Sequence, residues 1–140
     1  MSETKAKELG VEPMAYFSSC AIAGSDPTLT YPAVPDSVNK ALTKIDITID
    51  QVGLIEIQEA FAVQALADAR MMGIRQEDFD KKVNVNGSGI SLGHPIAGTG
   101  AMRLVTLLHE MKRRGSRFGL ETICGGGGLG IAAIFERRGF

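Results

Sequence analysis

Tryptophan is absent from this 140-residue chain, aromatic residues make up only 6% of it, and it has two histidines and two cysteines. Cys20 and Cys124 stand far apart without metal-like spacing. A disulfide scaffold is therefore not indicated, no metal site is expected, and reduced thiols of a cytoplasmic protein are the expectation. Charge of one sign is lacking as well. Fifteen basic and 16 acidic residues leave a net charge of −1, with no field to draw nucleic acid or an anionic membrane. No apolar run approaches the roughly 20 residues of a membrane span. Met1-Ser2-Glu3-Thr4-Lys5 lacks the basic-then-apolar start of a signal peptide. Internal repeats, linkers and low-complexity stretches are missing too.

What is present suits one compact domain over residues 1–140, since 44% of the chain is hydrophobic. The unusual abundance is glycine, 17 residues, concentrated at Gly87–Gly100 and Gly125–Gly130. Residues 3–9 read as a short charged helix stopped by Gly10. Met14–Ala23 reads as a buried strand, and the segment from Gly24 to Pro35 is turn chemistry. Val38, Ala41, Leu42 and Ile45 recur at helical spacing and predict a helix over about 35–45. Leu54–Ile57 is a short strand that runs directly into a helix from Glu59 to Met72. That helix is apolar nearly all round, which predicts burial on more than one side. Val83–Asn86 is extended. A helix from about Ile96 to Arg113 carries the stripe Ala97, Ala101, Leu104, Leu108 and Met111, and Gly115 caps it. Phe118–Cys124 and Leu129–Phe135 are strands joined by four glycines. The order β-α-β-α-α-β-β indicates an α/β layered domain with a mixed sheet.

Three segments place a reactive or polar side chain where a strand ends or a glycine loop meets a helix. In Glu56-Ile57-Gln58-Glu59-Ala60-Phe61-Ala62 the Gln58 amide can hold a water or an oxyanion beside free helix N–H groups; alternatively, Gln58 and Glu59 only cap the helix. In Gly89-Ile90-Ser91-Leu92-Gly93-His94-Pro95, a histidine at the positive end of a helix is suited to act as base or donor, against the alternative of a structural surface histidine. His109, among charged neighbours in mid-helix, is expected to be merely solvated. In Cys124-Gly125-Gly126-Gly127-Gly128-Leu129-Gly130 a thiol and several backbone N–H donors can face one small cavity. Four consecutive glycines cost too much conformational entropy to serve only as a turn. Cys20, inside an apolar strand, is expected to be a small buried hydrophobe.

In order and spacing, these three segments resemble the C-terminal signature set of the thiolase family: its NEAFA segment, its GHP loop and its CxGGG loop. Met1 through Gly10 and Ala23-Gly24-Ser25-Asp26-Pro27 extend the resemblance, to the first helix of that family's C-terminal domain and to its AGxDP turn. The resemblance implies a three-layer α/β/α half with a mixed sheet. It also implies that the family's N-terminal half, its coenzyme A-binding loop domain and the first, edge strand of this domain lie outside the chain, the missing strand belonging beside Leu129–Phe135.

By the same resemblance the implied activity is acyl transfer: thiolytic cleavage or Claisen condensation of 3-oxoacyl-CoA, with acyl-CoA and CoA as substrates and no further cofactor. A cysteine of the N-terminal half, supplied in cis or in trans, would take the acyl group. His94 would activate that cysteine and then help bind the thioester oxyanion with a water held at Gln58. Cys124 would move the proton of the second substrate, and the Gly126 N–H would serve a second oxyanion hole. Ala60 and Phe61 would contact substrate. Gln58 stands where the family has asparagine, Gly125 replaces a branched residue, Ala97-Gly98 reverses a Gly-Ala order, and Leu29-Thr30-Tyr31 replaces a Met-Gly stretch near the acyl pocket. The isolated chain is expected to be inactive and to form homo-oligomers. The alternatives are a non-catalytic, truncated or scaffold thiolase-like protein and one subunit of a split enzyme.

Overall fold

Four strands form a single mixed sheet in a computed structural model that describes residues 1–29 and 32–138. Thr30 and Tyr31, which the sequence reading placed near an acyl pocket, lie outside the described residues. The strands are β1 (Tyr16–Gly24), β2 (Val52–Ile57), β3 (Phe118–Gly125) and β4 (Leu129–Glu136). Their order across the sheet is β1-β4-β3-β2. β4 pairs antiparallel with both neighbours, while β3 and β2 run parallel. The expectation of a gap beside Leu129–Phe135 is therefore corrected. β1 occupies that flank, pairing from Tyr16↔Glu136 to Gly24↔Leu129, so β4 is an interior strand.

The helices are α1 (Glu3–Glu8), α2 (Ala33–Thr43), α3 (Ala62–Met71), α4 (Gln76–Lys82), α5 (Gly89–Leu92) and α6 (Thr99–Arg114). Because side chains alternate across a strand, the sheet carries a core on each of its faces. Ile55, Ile57, Leu120, Ala132 and Ile134 pack with Val38, Ala41 and Leu42 of α2 on one face. Leu54 and Phe135 pack with Leu107 and Met111 of α6 on the other. The layers are α/β/α.

Several helices differ from the pattern expected of them. α3 starts at Ala62 rather than Glu59, because Phe61 is held extended (φ −144, ψ 145) and the side chain of Gln64 reaches back to accept the N–H groups of Ala60 and Phe61. Only one side of α3 is buried, through Gln64, Ala65, Asp68 and Ala69, while Val63, Leu66 and Met71 are exposed. The stripe expected on α6 is displaced. A 3-10 turn over Ile96–Gly98 precedes α6 and leaves Ala97 and Ala101 exposed. The fully buried residues of α6 are Thr99, Arg103, Leu107, Glu110 and Met111. α4 escaped the sequence reading although Glu77 and Asp78 in its first turn and Lys81 and Lys82 in its last match the helix dipole.

β1 is not wholly buried. Ser19, Ala21 and Ala23 face α2, with Ser19 Oγ donating to the Ala41 carbonyl at 2.7 Å. Cys20 and Ile22 point to the opposite face, beyond the reach of α6, so Cys20 is exposed and not the buried hydrophobe expected. The four-glycine turn has positive φ at Gly127 (87°) and Gly128 (79°), a region that disfavours side chains. Gly128 also lets the 24–27 turn approach. A Cβ there would lie 2.5 Å from the Ser25 carbonyl oxygen, and Ser25 N donates to Gly128 O at 2.7 Å.

Candidate active site

β2 and β3 run parallel, so both deliver their C-terminal ends to the same side of the molecule. Gln58 follows β2 directly and its N–H continues the ladder to Thr122 O at 3.0 Å. Cys124 lies near the C-terminal end of β3, in the penultimate pair of the β3–β4 ladder, opposite Gly130. α6 begins over this end, where Gly100 has room for a Cβ only 3.6 Å from Ile123 Cδ1 and 3.5 Å from Glu121 Oε1. The Gly93-His94-Pro95 loop leads into this helix start.

Gln58 is 2% exposed. Its Oε1 accepts from Nε and Nη2 of Arg103, both at 3.4 Å, and its Nε2 lies against Gly89. Arg103 Nη2 also donates to the Gly93 carbonyl at 3.0 Å. One guanidinium therefore links the residue after β2 to the residue before His94. Glu59 does not cap α3 either. Its Oε1 accepts from Asn84 Nδ2 at 2.9 Å and its Oε2 from the Ile90 N–H at 3.0 Å. Asn84, in a left-handed conformation (φ 48), also bonds Ile57 N and Ile57 O through its amide, and Ser88 Oγ donates to Ile57 O at 2.8 Å. These contacts tie the 84–90 loop to the end of β2.

His94 is exposed, with Nδ1 2.6 Å from the buried Thr99 Oγ1, which orients the ring from one side. Two residues on, Ile96 has φ 35, an unfavourable conformation for a β-branched residue. Cys124 is half-buried and shares a shallow apolar depression of about 340 Å³ with Ile22, Ile123, Leu129 and Ile131. Burial, and then the nearby Asp68, push its thiol pKa up. Asp68 is itself raised to about 7 by burial, partly offset by its hydrogen bond from Gln64. Gly126 is exposed with no atom within 4 Å of a Cβ position, and Ala60 and Phe61 (63% exposed) stand open at the rim. His109 is exposed on α6.

The sequence reading passed over Arg103, Glu121 and Asn84. A lone arginine within the small-residue start of α6 was the available signal for the first. Among the described residues no group of three or more His, Cys, Asp or Glu is placed to hold a metal ion, and no helix is long and apolar enough to cross a membrane.

Residues 11–137 match the family described as "Thiolase, C-terminal domain". The chain is 51% identical over 136 residues to an acetyl-CoA acetyltransferase of Syntrophomonas wolfei, covering 97% of this chain and 34% of that protein. It is 47% identical to a 3-ketoacyl-CoA thiolase of Yersinia enterocolitica, covering 98% of this chain and 35% of that one. The fold superposes on the crystal structure of the Bacillus anthracis acetyl-CoA acetyltransferase with a TM-score of 0.91 at 44% identity, over 97% of this chain and 34% of that one. It superposes on human mitochondrial 3-ketoacyl-CoA thiolase in complex with CoA with a TM-score of 0.92 at 34% identity, over 99% and 34%. The chain spans about a third of the length of the relatives it matches. By a match that takes in nearly all of its length, the chain belongs to the thiolase family.

Proposed function

We propose that this chain supplies the acid–base and oxyanion-binding half of an acyltransferase that cleaves or forms 3-oxoacyl-CoA with CoA, in the cytoplasm. The nucleophilic cysteine comes from an N-terminal half, in cis or in trans. The observation that supports the reading is that Gln58 and Cys124 stand at the C-terminal ends of the parallel strands β2 and β3, while Arg103 bonds both Gln58 and the Gly93 carbonyl next to His94.

The chemistry follows from those positions. In thiolysis the incoming cysteine loses its proton to the His94 ring and attacks the 3-oxo carbon of the substrate. Cleavage of the carbon–carbon bond leaves a thioester enolate, which needs a proton at carbon and donors at oxygen. Cys124 is suited to the first task because burial keeps it in the thiol form, with a proton to give. The thiolate so formed takes the proton from CoA as CoA attacks the acyl-enzyme. His94 and a water on the Gln58 amide serve the enolate oxygen, and the Gly126 N–H serves the acyl carbonyl. The exposed Ala60 and Phe61 line the approach. A pair of like chains completes the assembly.

The test is co-expression with the N-terminal half of a full-length relative, followed by assay of acetoacetyl-CoA cleavage by CoA. Turnover that appears only with both halves, and vanishes with His94→Ala or Cys124→Ser, is the expected result. A folded complex that turns over equally without His94 overturns the proposal. One observation favours a second reading, a non-catalytic thiolase-like protein: Gln58 turns its amide oxygen onto Arg103. A complex that forms but never turns over would establish that reading instead.

A further inference from the structure

Glu56 and Glu121 are register partners on adjacent parallel strands, and both point to the α6 face. They are 2% and 8% exposed, and Arg103, which comes down from α6 onto the same face, is 0% exposed. Glu56 Oε2, Glu121 Oε1 and Arg103 Nη1 are buried without a hydrogen-bond partner. Two carboxyls this close cannot both be ionised cheaply, and a buried guanidinium needs one negative partner. We infer that Arg103 is the positioning residue of the His94 loop: balanced by the Glu56–Glu121 pair, it fastens the Gly93 carbonyl to the Gln58 amide and so sets where His94 stands.

The arrangement explains why a charge is buried at the start of an otherwise small-residue helix. Lysine would keep the charge but lack the fork that reaches two acceptors on different loops. It also links the loop to protonation. Burial raises both carboxyls to about 7, opposed by Arg103; for Glu56, Glu121, Glu59 and Glu110 add to the rise. Below that range the pair is neutral and the guanidinium loses its partner. Above it, a second negative charge draws the guanidinium away from its neutral acceptors, Gln58 Oε1 and Gly93 O. The seated state is the one with a single proton on the pair.

The inference rests on the proposed role of His94, yet its test needs no turnover. In the chain itself, Arg103→Lys is expected to leave the exchange of the Leu120 and Ile134 amides unchanged. Exchange at the Gly93 amide, bonded to Gly89 O at 3.0 Å, should speed up about tenfold or more, the scale of one lost charged hydrogen bond. A folded Lys variant with parental exchange at Gly93 overturns the inference. Should that variant not fold, the unmodified chain decides. The Arg103 Nε and Gly93 amide signals must move with the Glu56 and Glu121 carboxyl carbons as pH is varied, and carboxyls that titrate while both signals stand still overturn it. In a reconstituted enzyme Arg103→Lys lowers kcat while KM stays within about twofold, the mark of a lost transition-state contact. A parent complex without turnover sinks the function and leaves the loop result standing.

Discussion

The Nε2 of Gln58 lies 2.6 Å from where a Cβ on Gly89 would sit, so the longer amide fits only because residue 89 has no side chain. The Glu59 carbonyl oxygen, 2.8 Å from the same point, closes the space further. Gly89→Ala is expected to destabilise the chain by about 1–3 kcal/mol, the usual cost of overpacking. In a Gln58→Asn background the cost should shrink by about 1 kcal/mol, the part due to the amide, leaving the backbone clash. Denaturant melts of the four chains measure it, and strictly additive effects would refute the contact.

The buried carboxyl pair predicts an unusual dependence of stability on pH. Glu121 is raised from 4.5 to about 7 by burial, so the folded chain holds this proton more tightly than the unfolded chain does. Its contribution is fully present below 4.5 and is lost as pH rises through about 7. Glu110 acts in the opposite sense. Its hydrogen bond from Arg113 lowers it to about 2, so its contribution is present above 4.5 and is lost as pH falls through about 2. Glu121→Gln should therefore gain on the parent by about 1–3 kcal/mol between about pH 5 and about pH 8. Thermal melts across that range check it, and parallel curves would show that the carboxyl is not raised.

The two thiols should separate by reactivity. Cys20 is exposed on β1 and should be the first to react with a thiol reagent at neutral pH. Cys124 should react slowly, because burial and Asp68 hold it in the thiol form. In a Cys20→Ser chain, adding Asp68→Asn removes the neighbouring charge and is expected to raise the alkylation rate several-fold at about pH 7.5. An unchanged rate in a folded double variant would show that Asp68 does not act on this thiol.

Isolated, the chain is expected to self-associate. Phe17, Ile22, Leu129 and Ile131 are exposed, and Val63 and Leu66 add an apolar strip on α3. Apolar surface left open in this way favours association. β1 contributes the free edge, in place of the Leu129–Phe135 edge the sequence suggested, although Lys44 Nζ caps its Cys20 carbonyl at 2.6 Å. Sedimentation at low micromolar concentration should show concentration-dependent mass. A sharp monomer that binds no hydrophobic dye would overturn this.

The local grammar of this protein was legible in its residues. Short apolar segments placed β2, β3 and β4 within a few positions, glycine marked the ends of α1 and α6, and the spacing of Gln58, His94 and Cys124 within three motifs pointed to the family. Tertiary structure decided what depends on partners distant in sequence. β1 lies beside β4 because Ala21 and Ala23 find α2 while Ile22 finds Ile131, a pairing across more than a hundred residues that periodicity does not encode. The burial of Arg103 brings together Glu56 and Gln58 at the end of β2, Gly93 before the His94 loop and Glu121 on β3, three other places in the chain. A helical pattern reads an arginine as solvent-facing, since one element's spacing reveals which residues share a face but not which charges will meet there. The exposure of Cys20 has the same origin. Its strand is apolar on both faces, and only the position of α6, over β2 and β3 but short of β1, leaves one face open.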